Sequence, residues 1–286
     1  MASVVSTPIF RQGLIPLALL IGVCLFASGC GTEVLEARLE TGRKYFEHEA
    51  ILNKHLQPAA WNHTQFGMSM RIPLGFSLSP EPTPAKFNEK DELIEEAGPD
   101  ERQPNFLGED FPGIVAQWKK RVPTDTGEDE AVLYVLSNHQ RFINLATADV
   151  AADLPKPEEF QGDVEVALQK AFRVTFPAGN NGRPDKDNGW YIENIPKLDT
   201  YAAKKSFNAV HIVPEKPIKQ LEWKCQAYEY QAGKEILVMI VLIYPSKIRE
   251  QPRESLAIAM ETLDVSPARP AKPAKKGSVP VAPSGF

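Results

Sequence analysis

Nine consecutive apolar residues, ILVMIVLIY at 236–244, constrain this chain more than any other stretch. As a helix they would rise about 14 Å, roughly half of a bilayer's hydrocarbon core, so they cannot cross a membrane in that form. Rich in β-branched residues and with no polar face, the run reads as a strand buried on both sides, which must lie centrally in a sheet covered above and below. Left uncovered it would template aggregation. Upstream, residues 220–230 are strand-like, and Ala232-Gly233-Lys234 turns them back into the run. Downstream, Pro252 opens a helix expected to continue through Leu263, with Leu256, Ala259, Met260 and Leu263 on one face. That helix is the natural cover for one side.

Further strands are expected elsewhere. FGMSMRIP, residues 66–73, alternates strictly, with Phe66, Met68, Met70 and Ile72 on one face. Apolar runs at 114–122 and 131–137 flank PTDTGEDE, which suits a hairpin loop, and residues 206–213 add another strand. Val164, Leu168, Ala171 and Phe172 share a helix face over 163–172, where Asp163 is placed to cap the N-terminus. Residues 138–158 are ambiguous between helix and strand. PAGNNGRPDKDNG, residues 177–189, is a polar loop that delivers Trp190 and Tyr191 into a short segment. Residues 79–113 combine Pro, Gly and seven acids among 89–101, and read as a long acidic loop, extended and solvated.

Near the N-terminus, EVLEARLETGRKYFEHEAILNKHL reads as a helix with Leu35, Leu39, Phe46, Ala50 and Leu56 at helical spacing, and Gly42 as a possible break into two. Its apolar stripe is incomplete, which leaves both a domain-packed helix and a stalk open. The expected organisation is residues 1–29 as a signal segment, 30–65 as anchor and N-terminal helix, 66–264 as one α+β domain, and 265–286 as a tail. SPARPAKPAKKGSVPVAPSGF at 266–286 holds five prolines, four cations and no acid, and cannot bury a core. The fold class is therefore α+β, an antiparallel sheet flanked by helices and preceded by an N-terminal helix.

Setting aside Arg11 and the four tail cations takes the formal charge from -5 to -10 for the central part. So acidic a region does not suit phosphate recognition, and nucleic acid is not an expected partner. Three cysteines occur, at 24, 30 and 225. Cys225, in LEWKCQA on one strand face with Leu221 and Trp223, reads as a buried structural thiol.

The first thirty residues carry one cation, Arg11, then an apolar run over 14–26, then Ala27-Ser28-Gly29-Cys30. This resembles a bacterial lipoprotein signal peptide, whose lipobox places small or apolar residues before a cysteine that is lipidated and becomes the new N-terminus. The resemblance implies lipidation of Cys30, palmitate among the acyl chains, and a domain on the periplasmic or exterior side of the cell membrane or outer membrane. Each chain would contribute about 0.8 kcal/mol per buried methylene, and stable anchoring needs more than one. Gly31 follows Cys30 where an inner-membrane retention signal carries Asp, which favours outer-membrane sorting. Lipidation would also leave Cys225 without a disulfide partner. A second resemblance lies in FGMSMRIPLGF near the domain start and the closing series WKCQAYEY, GKEILVMIVLIYP and SLAIAMETL, which are similar to the PsbP/Mog1-like α/β/α sandwich. That resemblance implies a sheet flanked by helices and a role among assembly factors, accessory subunits or small binding proteins, some of them bacterial lipoproteins.

Searches for chemistry in the spacing fail. His48, His55 and His63 lie about 10 Å apart along a helix axis, too far for one ion, and Leu52 stands where a zinc-protease helix needs its second histidine. His139 and His211 lack suitable neighbours in sequence. DKDNG at 185–189 would need Gly at 190 and an acid at 196 to be a calcium loop, and has Trp190 and Pro196. Gly67-Met68-Ser69-Met70-Arg71 ends in Arg where a nucleophile elbow has Gly. No phosphate loop occurs, and no cofactor or metal is expected. Of Trp61, Trp118, Trp190 and Trp223, only Trp190, beside the long polar loop, is a candidate ligand-binding residue. The expected function is that of a membrane-tethered, non-catalytic binding or assembly module whose partner is an envelope protein or polymer. A lipid-anchored hydrolase with a site assembled from distant segments and a small-ligand or lipid carrier are the alternatives.

Overall fold

The computed structural model describes residues 32–88, 92–125, 127–147, 154–177, 187–197, 201–218, 222–248 and 252–271. Residues 1–31, where a signal segment and Cys30 are expected, lie outside the described residues, as does Leu221. The chain divides into two compact units, Met1–Ile51 and Leu52–Phe286. Helix α1, Thr32–His55, is continuous through Gly42. Ion pairs at helical spacing support it: Arg43 reaches Glu40 and Glu47, each at 2.8 Å.

The second unit is mixed α+β. In chain order its elements are β1 (Leu56–His63), β2 (Met68–Pro73), β3 (Ser77–Leu78), β4 (Lys86–Phe87), β5 (Leu93–Glu95), β6 (Ile114–Thr124), β7 (Gly127–Ser137), α2 (His139–Thr147), α3 (Phe160–Phe172), β8 (Tyr191–Ile195), β9 (Lys205–Ile212), β10 (Trp223–Ala232), β11 (Ile236–Pro245), α4 (Pro252–Glu261) and β12 (Asp264–Val265). A seven-stranded antiparallel sheet runs β3-β6-β7-β11-β10-β9-β8, and a three-stranded one runs β1-β2-β12.

The apolar run is β11, central as expected, with Ile240 opposite Val135 on one side and Tyr228 on the other. Its alternation splits the core in two. Val238, Ile240, Leu242 and Tyr244 pack with Met68, Met70 and Ile72 of β2 and with Leu256, Ala259 and Met260 of α4. Met239, Val241 and Ile243 pack with Val164, Leu168 and Phe172 of α3. Each such buried aliphatic side chain contributes about 1.5–3 kcal/mol, so covering both faces is what makes an all-apolar strand tolerable. Cys225 is fully buried in the α3-side cluster, and burial pushes its thiol pKa well above the ordinary value.

Several local expectations need correction. The β6–β7 hairpin is longer than its apolar runs: Val122 pairs with Asp129, Pro123 with Glu128 and Thr124 with Gly127, so most of PTDTGEDE is strand. At the tip of an antiparallel ribbon side chains reach water, and charge there does not signal a loop. Helix α2 occupies part of 138–158. Helix α3 starts at Phe160, after a 3₁₀ turn Pro157–Glu159 in which Glu159 accepts the Lys156 N–H at 3.1 Å. Asp163 does not cap it; its carboxylate accepts a bond from Arg141 of α2 at 2.7 Å.

The acidic segment is anchored where it was expected to be extended. Arg102, 7% exposed, donates to Asp100 at 2.8 Å and to the Val115 carbonyl at 3.0 Å. Gln103 exchanges two bonds with the backbone of Phe111. The tail also begins later than its composition suggests. β12 pairs with β2, the Ser266 N–H donates to the Gly67 carbonyl at 2.9 Å, and Arg269 pairs with Glu235 beneath the ring of Phe142. Residues 272–286 lie outside the described residues.

Candidate functional site

Three segments distant in sequence form a cleft of about 420 Å³. β1 ends at His63, and a 3₁₀ turn over Thr64–Phe66 carries Gln65 and Phe66. The turn closes through Gly67 at φ +58°, where an added Cβ would sit 2.7 Å from that of Ser266. The acidic segment contributes Glu81 and Arg102, and the β7–α2 corner contributes Ser137 and Gln140.

The walls are held by bonds to backbone. Arg102 is fixed as above, and of its five N–H groups two have no partner among the described residues. Its guanidinium holds the Asp100 carboxyl below the usual range. Gln117 donates to the Arg102 carbonyl at 2.8 Å and to the Tyr134 hydroxyl at 3.0 Å, and burial pushes that phenol's pKa up. Gly113, at φ +67°, lies so close to the corner that a Cβ would sit 2.5 Å from the Ser137 carbonyl oxygen, which excludes any other residue.

An aromatic column closes one side. The ring of Phe66 stacks on His63 at 4.2 Å and on His139 at 4.9 Å. Burial lowers the pKa of His63, opposed by Glu81 and reinforced by Arg102. His139 is fully buried, and burial, with a smaller push from His63, brings it down to about 4. Both are therefore neutral near pH 7.

His139 Nδ1 lies 2.6 Å from the Ser137 hydroxyl, the spacing of a nucleophile and its base. That hydroxyl has one proton and directs it to the Leu237 carbonyl at 2.9 Å. Nδ1 then carries the hydrogen and donates to Ser137 Oγ, and Nε2 is left buried without a partner among the described residues. In this tautomer the imidazole is no base toward Ser137. The His139 N–H also points at Ser137 Oγ, at 3.4 Å, so the serine holds the start of α2. What the cleft offers a ligand is polar binding: spare Arg102 N–H groups, the His63 ring, Gln65, Gln140 and the Glu81 carboxylate.

A second groove, of about 530 Å³, is lined by Phe106, Trp223, Arg121, Glu128 and Glu130, the two rings lying 5.1 Å apart.

Trp190 is 4% exposed, packed edge-on to Phe176 at 5.7 Å in the α3-side core, with its indole N–H unpartnered among the described residues. It therefore does not line the cleft. His55 approaches Ser255 at 3.4 Å and does not line the cleft. Of DKDNG, Asp185 and Lys186 lie outside the described residues; Asp187 pairs with His211 at 3.0 Å and Asn188 bonds both backbone groups of Val213. The cleft residues themselves escaped sequence reading because nothing in their spacing links positions near 63, 102 and 137. The one local signal was the 3₁₀ turn's Gln65-Phe66-Gly67.

Among the described residues no three His, Cys, Asp or Glu side chains converge as metal ligands, and no helix is long and apolar enough to cross a membrane. A scan against protein-family models and a search of curated proteins find no match.

Proposed function

We propose that this chain is a lipid-anchored binding module of a bacterial cell envelope, held to the membrane through Cys30, with the His63–Arg102–Ser137 cleft as its ligand site. The observation that carries the reading is the preorganisation of that cleft: Arg102 is pinned to the Val115 carbonyl and Gln103 to both backbone groups of Phe111, and both side chains line a cavity of about 420 Å³. Such a site binds without first having to order its walls. Support for the anchor is the run over 14–26 followed by Ala27-Ser28-Gly29-Cys30. We further propose that the layered sheet belongs with PsbP/Mog1-like sandwiches, a likeness of pattern that transfers no activity by itself.

The binding test is thermal unfolding of the purified protein with small polar probes, namely N-acetylated amino sugars, amino acids and polyamines. At least one raises the midpoint, and Gln65→Ala with Glu81→Lys removes the shift. Anchoring is tested by labelling with a fatty-acid analogue, lost in Cys30→Ala; labelling that persists sinks that half of the proposal.

A hydrolase would use the 2.6 Å approach of Ser137 and His139, but the Ser137 proton is directed to the Leu237 carbonyl, which leaves the imidazole no base toward it. Turnover of a chromogenic ester that Ser137→Ala abolishes would replace binding with catalysis.

A further inference from the structure

In the first unit, α1 presents large apolar side chains to solvent: Leu35 is 57% exposed, Leu39 64% and Phe46 71%. With Gly42 between them they follow at spacings of four, three and four, the seam of a two-helix coil. The charged residues that bridge one another, Glu40, Arg43, Lys44 and Glu47, occupy a different flank. Gly42 is the odd member. Glycine is the poorest helix former after proline, and here a Cβ would meet nothing within 4 Å, so nothing among the described residues requires it.

A facing helix does require it. We propose that a second copy of this chain packs against α1 in antiparallel register, about a two-fold axis that places Leu35 against Phe46 of the partner subunit and Leu39 against Gly42 of the partner subunit. Leu39 then fills the space that the missing Cβ leaves, twice per interface by symmetry. The same register sets Glu36 beside Arg43 of the partner subunit, opposite charges on the flank. A parallel pair would face glycine with glycine, leaving a hole, and would bring Arg38 toward Arg43 of the partner subunit. The seam spans two heptads, so the pair is weak in dilute solution, and confinement to a surface would strengthen it.

The test uses the full chain in non-ionic detergent with a benzophenone amino acid at position 46. Antiparallel pairing cross-links it to the tryptic peptide ending at Arg38, which carries Leu35. Within one helix those positions are about 16 Å apart, out of reach. Sedimentation equilibrium shows a dimer, and Gly42→Leu raises its dissociation constant at least tenfold while the helical circular dichroism is kept. A monomer throughout the concentration range overturns the proposal, as does cross-linking to the peptide containing position 46, to residues 55–286, or to detergent alone.

Discussion

Asn138 and Leu237, ninety-nine residues apart, grip each other through two hydrogen bonds: the Asn138 side-chain oxygen accepts the Leu237 N–H at 3.1 Å, and the Asn138 N–H donates to the Leu237 carbonyl at 3.3 Å. Asn138 Nδ2 adds a bond to the Glu235 carbonyl at 2.8 Å. The corner where β7 becomes α2 is thereby welded to the start of β11, and one wall of the cleft stands on that weld. Asn138→Ala leaves the part-buried Leu237 N–H and Glu235 carbonyl without these partners and should cost about 1–2 kcal/mol in urea unfolding. A loss under 0.5 kcal/mol would show that water replaces the amide.

Arg102 should be intolerant of truncation. Arg102→Met takes both guanidinium donors from the part-buried Asp100 carboxylate, which keeps only the residue-102 N–H at 3.1 Å, and leaves the Val115 carbonyl without its donor, a loss of about 2 kcal/mol. Adding Asp100→Asn should recover part of it, because the uncompensated charge is removed. Chemical denaturation of the single and double variants measures the difference.

Glycine 113 is a steric requirement, and Gly108 supplies the contrast. Both have positive φ, +67° and +78°, but only at 113 would a Cβ strike backbone. Gly113→Ala should destabilise by roughly 3 kcal/mol and Gly108→Ala by about 1 kcal/mol, the conformational term alone. Similar losses at both positions would contradict the close approach of Gly113 to Ser137.

Acid should weaken the fold earlier than carboxylates alone would cause. His139 is pushed down to about 4 in the folded protein, against 6.5 when unfolded. Between those values the unfolded chain binds the proton first, so stability is complete above about pH 6.5 and is lost as pH falls toward 4, by about 3 kcal/mol for this group. His63 and His211 shift in the same direction and add to the slope. Urea unfolding at pH 7.5, 6 and 5 reads the slope, and His139→Phe should reduce it without abolishing it. An unchanged slope would place the buried imidazole outside the linkage.

The sequence by itself determined the features that depend on neighbours along the chain. The 236–244 run had to be a central strand, because an all-apolar strand has no face to give to water, and Met68, Met70 and Ile72 had to share a face because strand side chains alternate. The helical periods of α1, α3 and α4 were legible for the same reason, with errors only at ends, where caps depend on partners such as Arg141 for Asp163. Tertiary structure decided the rest. Charge at the β6–β7 tip and in residues 79–113 looked like solvation, and became pairing and a buried Arg102–Asp100 contact once the fold supplied partners. The cleft belongs wholly to this second class: His63, Arg102 and Ser137 meet only because β1, the acidic segment and the β7–α2 corner converge. Short-range periodicity carries no trace of a convergence that is set by how layers stack.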